Sequence, residues 1–167
     1  MVPGWNRTLR QSCVAINRHL QVNPTATPEE IQATAKTFFN AYRSLDVQIG
    51  VVPPKVVCLA LAVELVLKAL LAAEGTRYGR VHSLYALFKK LSVMRRVQVM
   101  AKVQAPPAEF FRKLAEEETS DAFVRWRYIH ESPPGEAGNT WTGCLNQLYT
   151  ASSAVLEQLL IARSSES

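Results

Sequence analysis

Apolar residues recur at three-to-four spacing through most of this chain, the period of a helix with one buried face rather than of an alternating strand. The clearest start is Thr27-Pro28-Glu29-Glu30. A threonine cap, a proline at the first helical position and a glutamate three residues on satisfy the exposed N–H groups of a helix end. Ile31, Ala35, Phe38, Phe39 and Tyr42 then form one apolar stripe that stops near Asp46. After the connection "VQIGVVPPK" a second helix is expected from about Pro54 to Glu74, ended by Gly75. It is apolar almost all round, which predicts a central position. Leu84, Leu87 and Leu91 mark a shorter helix, with helical structure continuing after Ser92. "APPAEFFRKLAEEETS" starts another helix at its proline pair, and "SDAFVRWRYIHE" follows. "SPPGEAGN" is a loop, and the last long helix turns Leu145, Leu148, Ala151, Leu156 and Leu159 inward. The pattern predicts an all-α bundle in one domain over residues 1–167. Residues 1–26 form an N-terminal segment of mixed polarity and 164–167 a frayed tail.

Composition narrows the class without naming a function. At 167 residues, 48% hydrophobic and 20% charged, the chain is long enough for a real core and reads as soluble and globular. The run from Val56 to Ala73 has the length of a membrane span. Glu64 and Lys68 sit in its middle, however, and each costs about 2.5 kcal/mol or more at a bilayer centre. Their i,i+4 order, acid first, suits an ion pair on a buried helix instead. No membrane partner is therefore expected. Three scattered cysteines, Cys13, Cys58 and Cys144, form no disulfide framework, and the N-terminus lacks the apolar core of a signal peptide. The expected location is the cytoplasm. A net charge of +5 is a mild basic bias, compatible with a nucleic-acid partner.

Several chemistries find no support in the residues. The histidines, His19, His82 and His130, stand in no metal-ligand spacing, so neither a metal nor a cofactor is expected. "GTRYGR" is not a phosphate loop, and no nucleophile elbow occurs. Lys89, Lys90, Arg95, Arg96 and Lys102 could attract phosphate, although such a run more often forms a solvated helix face.

"FVRWRYIHE", Phe123 to Glu131, carries the most concentrated chemistry. Arg127, His130 and Glu131 share a helical face, while Arg125 and His130 lie about 140° apart round a straight helix. Apolar side chains occupy nearly every other direction, so this helix should be largely buried and its ions should need partners, Glu64 among them. Two readings stand. In one, the segment is a buried ion network that supports the bundle. In the other, an arginine grips phosphate beside a histidine that moves protons, a pairing suited to metal-free RNA cleavage.

Three pieces in order, "AVELVLKALLAAEG", "HSLYALFKKLS" and "SDAFVRWRYIHE", resemble the HEPN superfamily of small helical bundles. That resemblance implies a HEPN-like up-and-down helical bundle with additional short helices. The family's catalytic signature is an arginine and a histidine with four to six residues between them, which Arg125 and His130 meet at the shortest spacing, with four. It implies a metal-independent endoribonuclease, a toxin or defence component, with its site at a homodimer cleft. Arg125 would hold phosphate and His130 would act as general acid/base. Arg127 and Tyr128 would support the site, with Glu131 or Glu64 orienting the basic groups. Trp126 stands where active members carry a small polar residue. The family also includes non-catalytic modules that bind a nucleotide, RNA or a partner such as a cognate antitoxin or nucleotidyltransferase, so that alternative stays open.

Overall fold

The computed structural model describes residues 26–45, 52–127 and 142–165. Among these residues every regular element is a helix, and the protein is all-α.

Helix α1 (Pro28–Ser44) begins as its sequence requires. The Thr27 hydroxyl accepts the Glu30 N–H at 3.2 Å, and the Glu30 carboxylate accepts the Thr27 N–H at 2.8 Å. Both ends of the expected capping box are thus made. Ile31 and Ala35 are buried, while Phe38, Phe39 and Tyr42 pack against the core from its margin.

Helix α2 (Val52–Ala73) is the axis of the bundle. Leu59, Val63, Val66, Leu67, Leu70 and Leu71 are fully buried along it. Its length and apolar composition would allow it to cross a membrane, but most of that stretch is buried by other helices. The helix stops through backbone geometry at a glycine. Gly75 takes a φ of +71°, a left-handed conformation that costs a glycine little. The Thr76 N–H then reaches the Leu71 carbonyl at 2.8 Å and the Gly75 N–H reaches Ala72 at 3.0 Å. These two bonds satisfy carbonyls that the helix end would otherwise strand.

Helix α3 (Leu84–Lys90) is capped by Ser83, whose hydroxyl accepts the Ala86 N–H. Leu84, Leu87 and Leu91 turn inward as their spacing predicts. The helical stretch expected after Ser92 is a separate helix, α4 (Val93–Met100). Leu91 is extended, and Ser92 caps the new start by accepting the Arg95 N–H. A serine between two apolar runs favours exactly such a restart over continuation, because its side chain competes for the backbone.

Helix α5 (Pro107–Ala115) starts at the proline pair and buries Phe110 and Leu114. The chain breaks at Glu116, where ψ is 133°, and continues as two short pieces, α6 (Glu117–Ser120) and α7 (Ala122–Arg127). Helix α8 (Thr142–Ser164) closes the core with Leu145, Leu148, Ala151, Val155 and Leu156. Arg163 near its end donates to the Ala73 carbonyl, tying the last turn of α8 to the last turn of α2. Helices α1, α3, α7 and α8 all pack on α2.

Candidate functional site

The central helix carries one carboxylate where its neighbours are apolar. Glu64 is 3% exposed and lies between fully buried Val63 and partly buried Leu65. A carboxylate taken out of water costs several kcal/mol unless cations and hydrogen bonds compensate it. Lys68, one turn on, supplies the first partner with Nζ at 2.6 Å from Oε1. This is the expected i,i+4 pair.

His82 supplies the second. Its Nδ1 lies 3.1 Å from Oε1 and 3.2 Å from Oε2 of Glu64. A carboxylate only accepts, so the ring carries its hydrogen on Nδ1 and donates. The second ring nitrogen is not used in this bond, and the side chain is 48% exposed. One edge of the imidazole is therefore anchored on a buried charge while much of the ring meets solvent.

The loop between α2 and α3 delivers His82 to this position. It leaves α2 through Gly75 and turns again at Gly79, which has a φ of +61°. Tyr78 lies between these turns with its ring 5.6 Å from Lys68 Nζ, a cation–π contact on the outer side of the pair. Lys90 of α3 donates to the Tyr78 carbonyl at 3.3 Å and holds the loop from the other side. Ser83, next to His82, shares a 2.7 Å hydrogen bond with the buried hydroxyl of Ser120. That bond pins the start of α3 to the junction between α6 and α7.

Helix α7 completes the surroundings. The Phe123 ring lies 5.9 Å from the His82 ring, tilted by 32°. Ala122 is fully buried and Val124 is 39% exposed, which fixes the rotation of this short helix.

The residues singled out in the sequence fare unevenly. Glu64 is at the centre of the cluster. Arg125 and Arg127 lie on the helical backbone of α7, packed on α2. Tyr128, His130 and Glu131 lie outside the described residues, as does His19. His82 carries more of the geometry than its sequence context announced. The available signal was Glu64 itself, since a carboxylate in so apolar a helix needs more than one neighbouring lysine. The basic run is divided between two helices. Lys89 and Lys90 are exposed on α3, and Arg95 on α4 pairs with Glu74 at 3.3 Å.

Two other features of the protein lack this arrangement. The cysteines among the described residues are poor nucleophiles, because burial pushes the Cys58 thiol up and raises Cys144 to about 12. A groove of about 570 Å³ runs between α1 and α8, floored by the stacked rings of Phe39 and Tyr149 at 3.9 Å. Lys36 and Arg43 line it together with Glu29 and Glu157, so its charges are of both signs. It shares no residue with the Glu64 cluster and holds no histidine or cysteine. Among the described residues, no group of three or more His, Cys, Asp or Glu side chains is placed to hold a metal ion.

Compared with family models, with curated proteins and with solved structures, the chain matches none of them.

Proposed function

We propose that this chain is a HEPN-like helical protein that acts on RNA as a metal-independent endoribonuclease. One observation carries the reading. The three segments that carry the resemblance are joined through one pair: Glu64 of α2, which also holds Lys68, binds His82 of the following loop, and the His82 ring lies beside Phe123 of α7. A histidine and an arginine-bearing helix are the types of group that RNA cleavage without a metal uses. A base takes the ribose 2′ proton, an acid protonates the departing 5′ oxygen, and a guanidinium neutralises the phosphorane-like transition state. In this reading Arg125 holds phosphate, His130 transfers protons, and Arg127, Tyr128 and Glu131 support them at a cleft between two copies.

The test is incubation of purified protein with mixed RNA in EDTA, beside its His130→Ala variant. Cleavage by the wild type alone is the expected result. Equal cleavage by both sinks the role given to His130.

A second reading is favoured by the completeness of the cluster. Both oxygens of Glu64 are engaged, by Lys68 and by His82, as in an ion network that only locks a loop onto a core. The chain would then be a non-catalytic HEPN-type module that binds a nucleotide, an RNA or a partner protein. Absence of cleavage by wild type, with RNA still retained in a binding assay, selects that reading.

A further inference from the structure

Helix α4 turns its apolar face to solvent. At 100° per residue, Val93, Val97, Ala101 and Met94 fall within about 100° of arc, while Val99 lies on the opposite side. Val99 is fully buried in the core, whereas Val93, Met94 and Val97 are 68%, 66% and 59% exposed. Ala101 is exposed beside them. The arginines of the helix flank Val99 instead. The Arg95 side chain is 20% exposed and pairs with Glu74, and Arg96 is half-buried. A helix on a protein surface normally turns its charges out and its apolar residues in. Apolar side chains exposed singly are ordinary, but three on one face of one short helix mark a surface that meets something.

The charge round this face selects the partner. Seven of the 19 Lys and Arg, and none of the 14 Asp and Glu, fall between Gly75 and Ala108. Lys89 and Lys90 stand exposed just before α4 and Lys102 just after it, so the apolar face has lysines at both ends. We propose that this face is a docking surface for an amphipathic helix of a partner protein, one with an apolar stripe and carboxylates at its ends. The inference stands whether or not the chain cleaves RNA. Val93, Val97 and Ala101, at i, i+4 and i+8, form the kind of ridge that interdigitates with a second helix. The valines are stiff side chains that lose little freedom on being covered.

Two other occupants fit less well. A second copy paired through this face would set lysine against lysine, a like-charge juxtaposition that opposes association. An anionic membrane is met by interfacial helices with aromatic anchors and outward cations. Helix α4 has no aromatic residue, and its arginines are turned inward.

The test is a display library of short helical peptides, panned on the full chain and in parallel on a variant carrying Val93→Ser, Met94→Ser and Val97→Ser. All three sites are exposed, so the variant should melt like wild type by circular dichroism, and Val97→Gln alone replaces it if it does not. Wild type should enrich peptides with apolar residues at three-to-four spacing and Asp or Glu at both ends. The selected peptide should bind the serine variant about tenfold or more weakly in fluorescence anisotropy. Lys89→Glu together with Lys102→Glu should weaken the same peptide by a similar factor, about tenfold. No enrichment, equal enrichment on wild type and serine variant, or enrichment of peptides without acidic ends overturns the proposal. A wild-type dimer in sedimentation equilibrium that the serine variant loses also overturns it, by making a second copy the occupant. Wild-type binding to vesicles of phosphatidylserine and phosphatidylcholine, lost in the same variant, overturns it in favour of a membrane surface.

Discussion

Two ion pairs in this protein are nearly the same in every respect except their surroundings. Glu64 and Lys68 on α2 are four residues apart, acid first, at 2.6 Å. Glu109 and Lys113 on α5 repeat the spacing, the order and the distance. The Glu64 side chain is 4% exposed and that of Glu109 is 47% exposed. Water solvates Glu109 whether or not Lys113 is near, so its pair has little to contribute. Glu64 has almost no water to fall back on, and the protein must supply what solvent does elsewhere. It recruits a second donor, His82, from a loop 18 residues away. The difference teaches why one pair organises a site and the other decorates a surface. Burial turns a lone carboxylate into a demand for partners, and those partners fix a loop and a titratable ring.

The sharpest way to break this comparison is to remove the buried acid. Glu64→Ala strands Lys68 in a largely buried position and frees His82 from its anchor. The expected loss is about 3 kcal/mol or more, measured from urea denaturation of variant and wild type. A loss below about 1 kcal/mol would mean that the cluster is solvated in solution and that its burial argument fails. Glu64→Gln should fall between, since the amide keeps the shape and can still accept one hydrogen bond.

A smaller effect is expected at Glu74, the other carboxylate at the end of α2. Its oxygens accept the Ser92 hydroxyl at 2.6 Å and the Ser92 N–H at 3.2 Å, with Arg95 Nε at 3.3 Å. Here the partners hold their protons at all ordinary pH values, and the carboxylate staples the start of α4 to the end of α2. Glu74→Ala should cost about 1 to 2 kcal/mol, the worth of charged hydrogen bonds at a partly exposed helix start. Its urea midpoint should therefore shift less than that of Glu64→Ala. The reverse order would make the staple, and not the buried cluster, the principal polar support of α2.

Much of this division was legible in the sequence. The Thr27 box, the centrality of α2, the glycine stop at Gly75 and the Glu64–Lys68 pair follow from local rules that tertiary structure had no reason to override. The same is true of the inward leucines of α3 and α8. The break at Ser92 was missed because a serine in mid-pattern can either face solvent or cap, and its choice here depends on Glu74, 18 residues earlier. His82 was missed for the same reason. Nothing within its loop signals that Nδ1 meets a carboxylate from a helix already completed. What was not readable locally was pairing between distant residues, and functional geometry consists largely of such pairs. The candidate arginines show the limit of periodicity in another way. It placed Arg127 and His130 on one face, but it could not say which neighbour that face would meet. Only the rotation fixed by Ala122 and Val124 turns Phe123 toward His82.

The two arginines can be told apart through activity. In the ribonuclease reading Arg125 holds phosphate, so Arg125→Lys should reduce cleavage more than Arg127→Lys, because a lysine cannot reproduce the bidentate grip of a guanidinium on phosphate. Initial rates on one RNA, with both variants checked for native melting, decide the order. A larger loss at Arg127 would move the grip on phosphate from Arg125 to Arg127.

The smallest effect is expected at the exposed pair. A hydrogen bond from Lys113 and its positive charge hold the Glu109 carboxyl below its usual range. A carboxyl depressed in the folded state stabilises the fold above its ordinary titration range, and that contribution is lost as pH falls through the depressed value. For a residue so fully in water the contribution is expected to vanish into the baseline. Glu109→Gln should leave the urea midpoint unchanged at pH 7, with 0.5 M salt making no difference, and the acid limb of the stability curve should superimpose on that of wild type. A midpoint shift that salt abolishes would show that exposed charges on α5 matter to this fold. The contrast with Glu64 would then be one of degree, and the loss on removing Glu64 could no longer be assigned to burial alone.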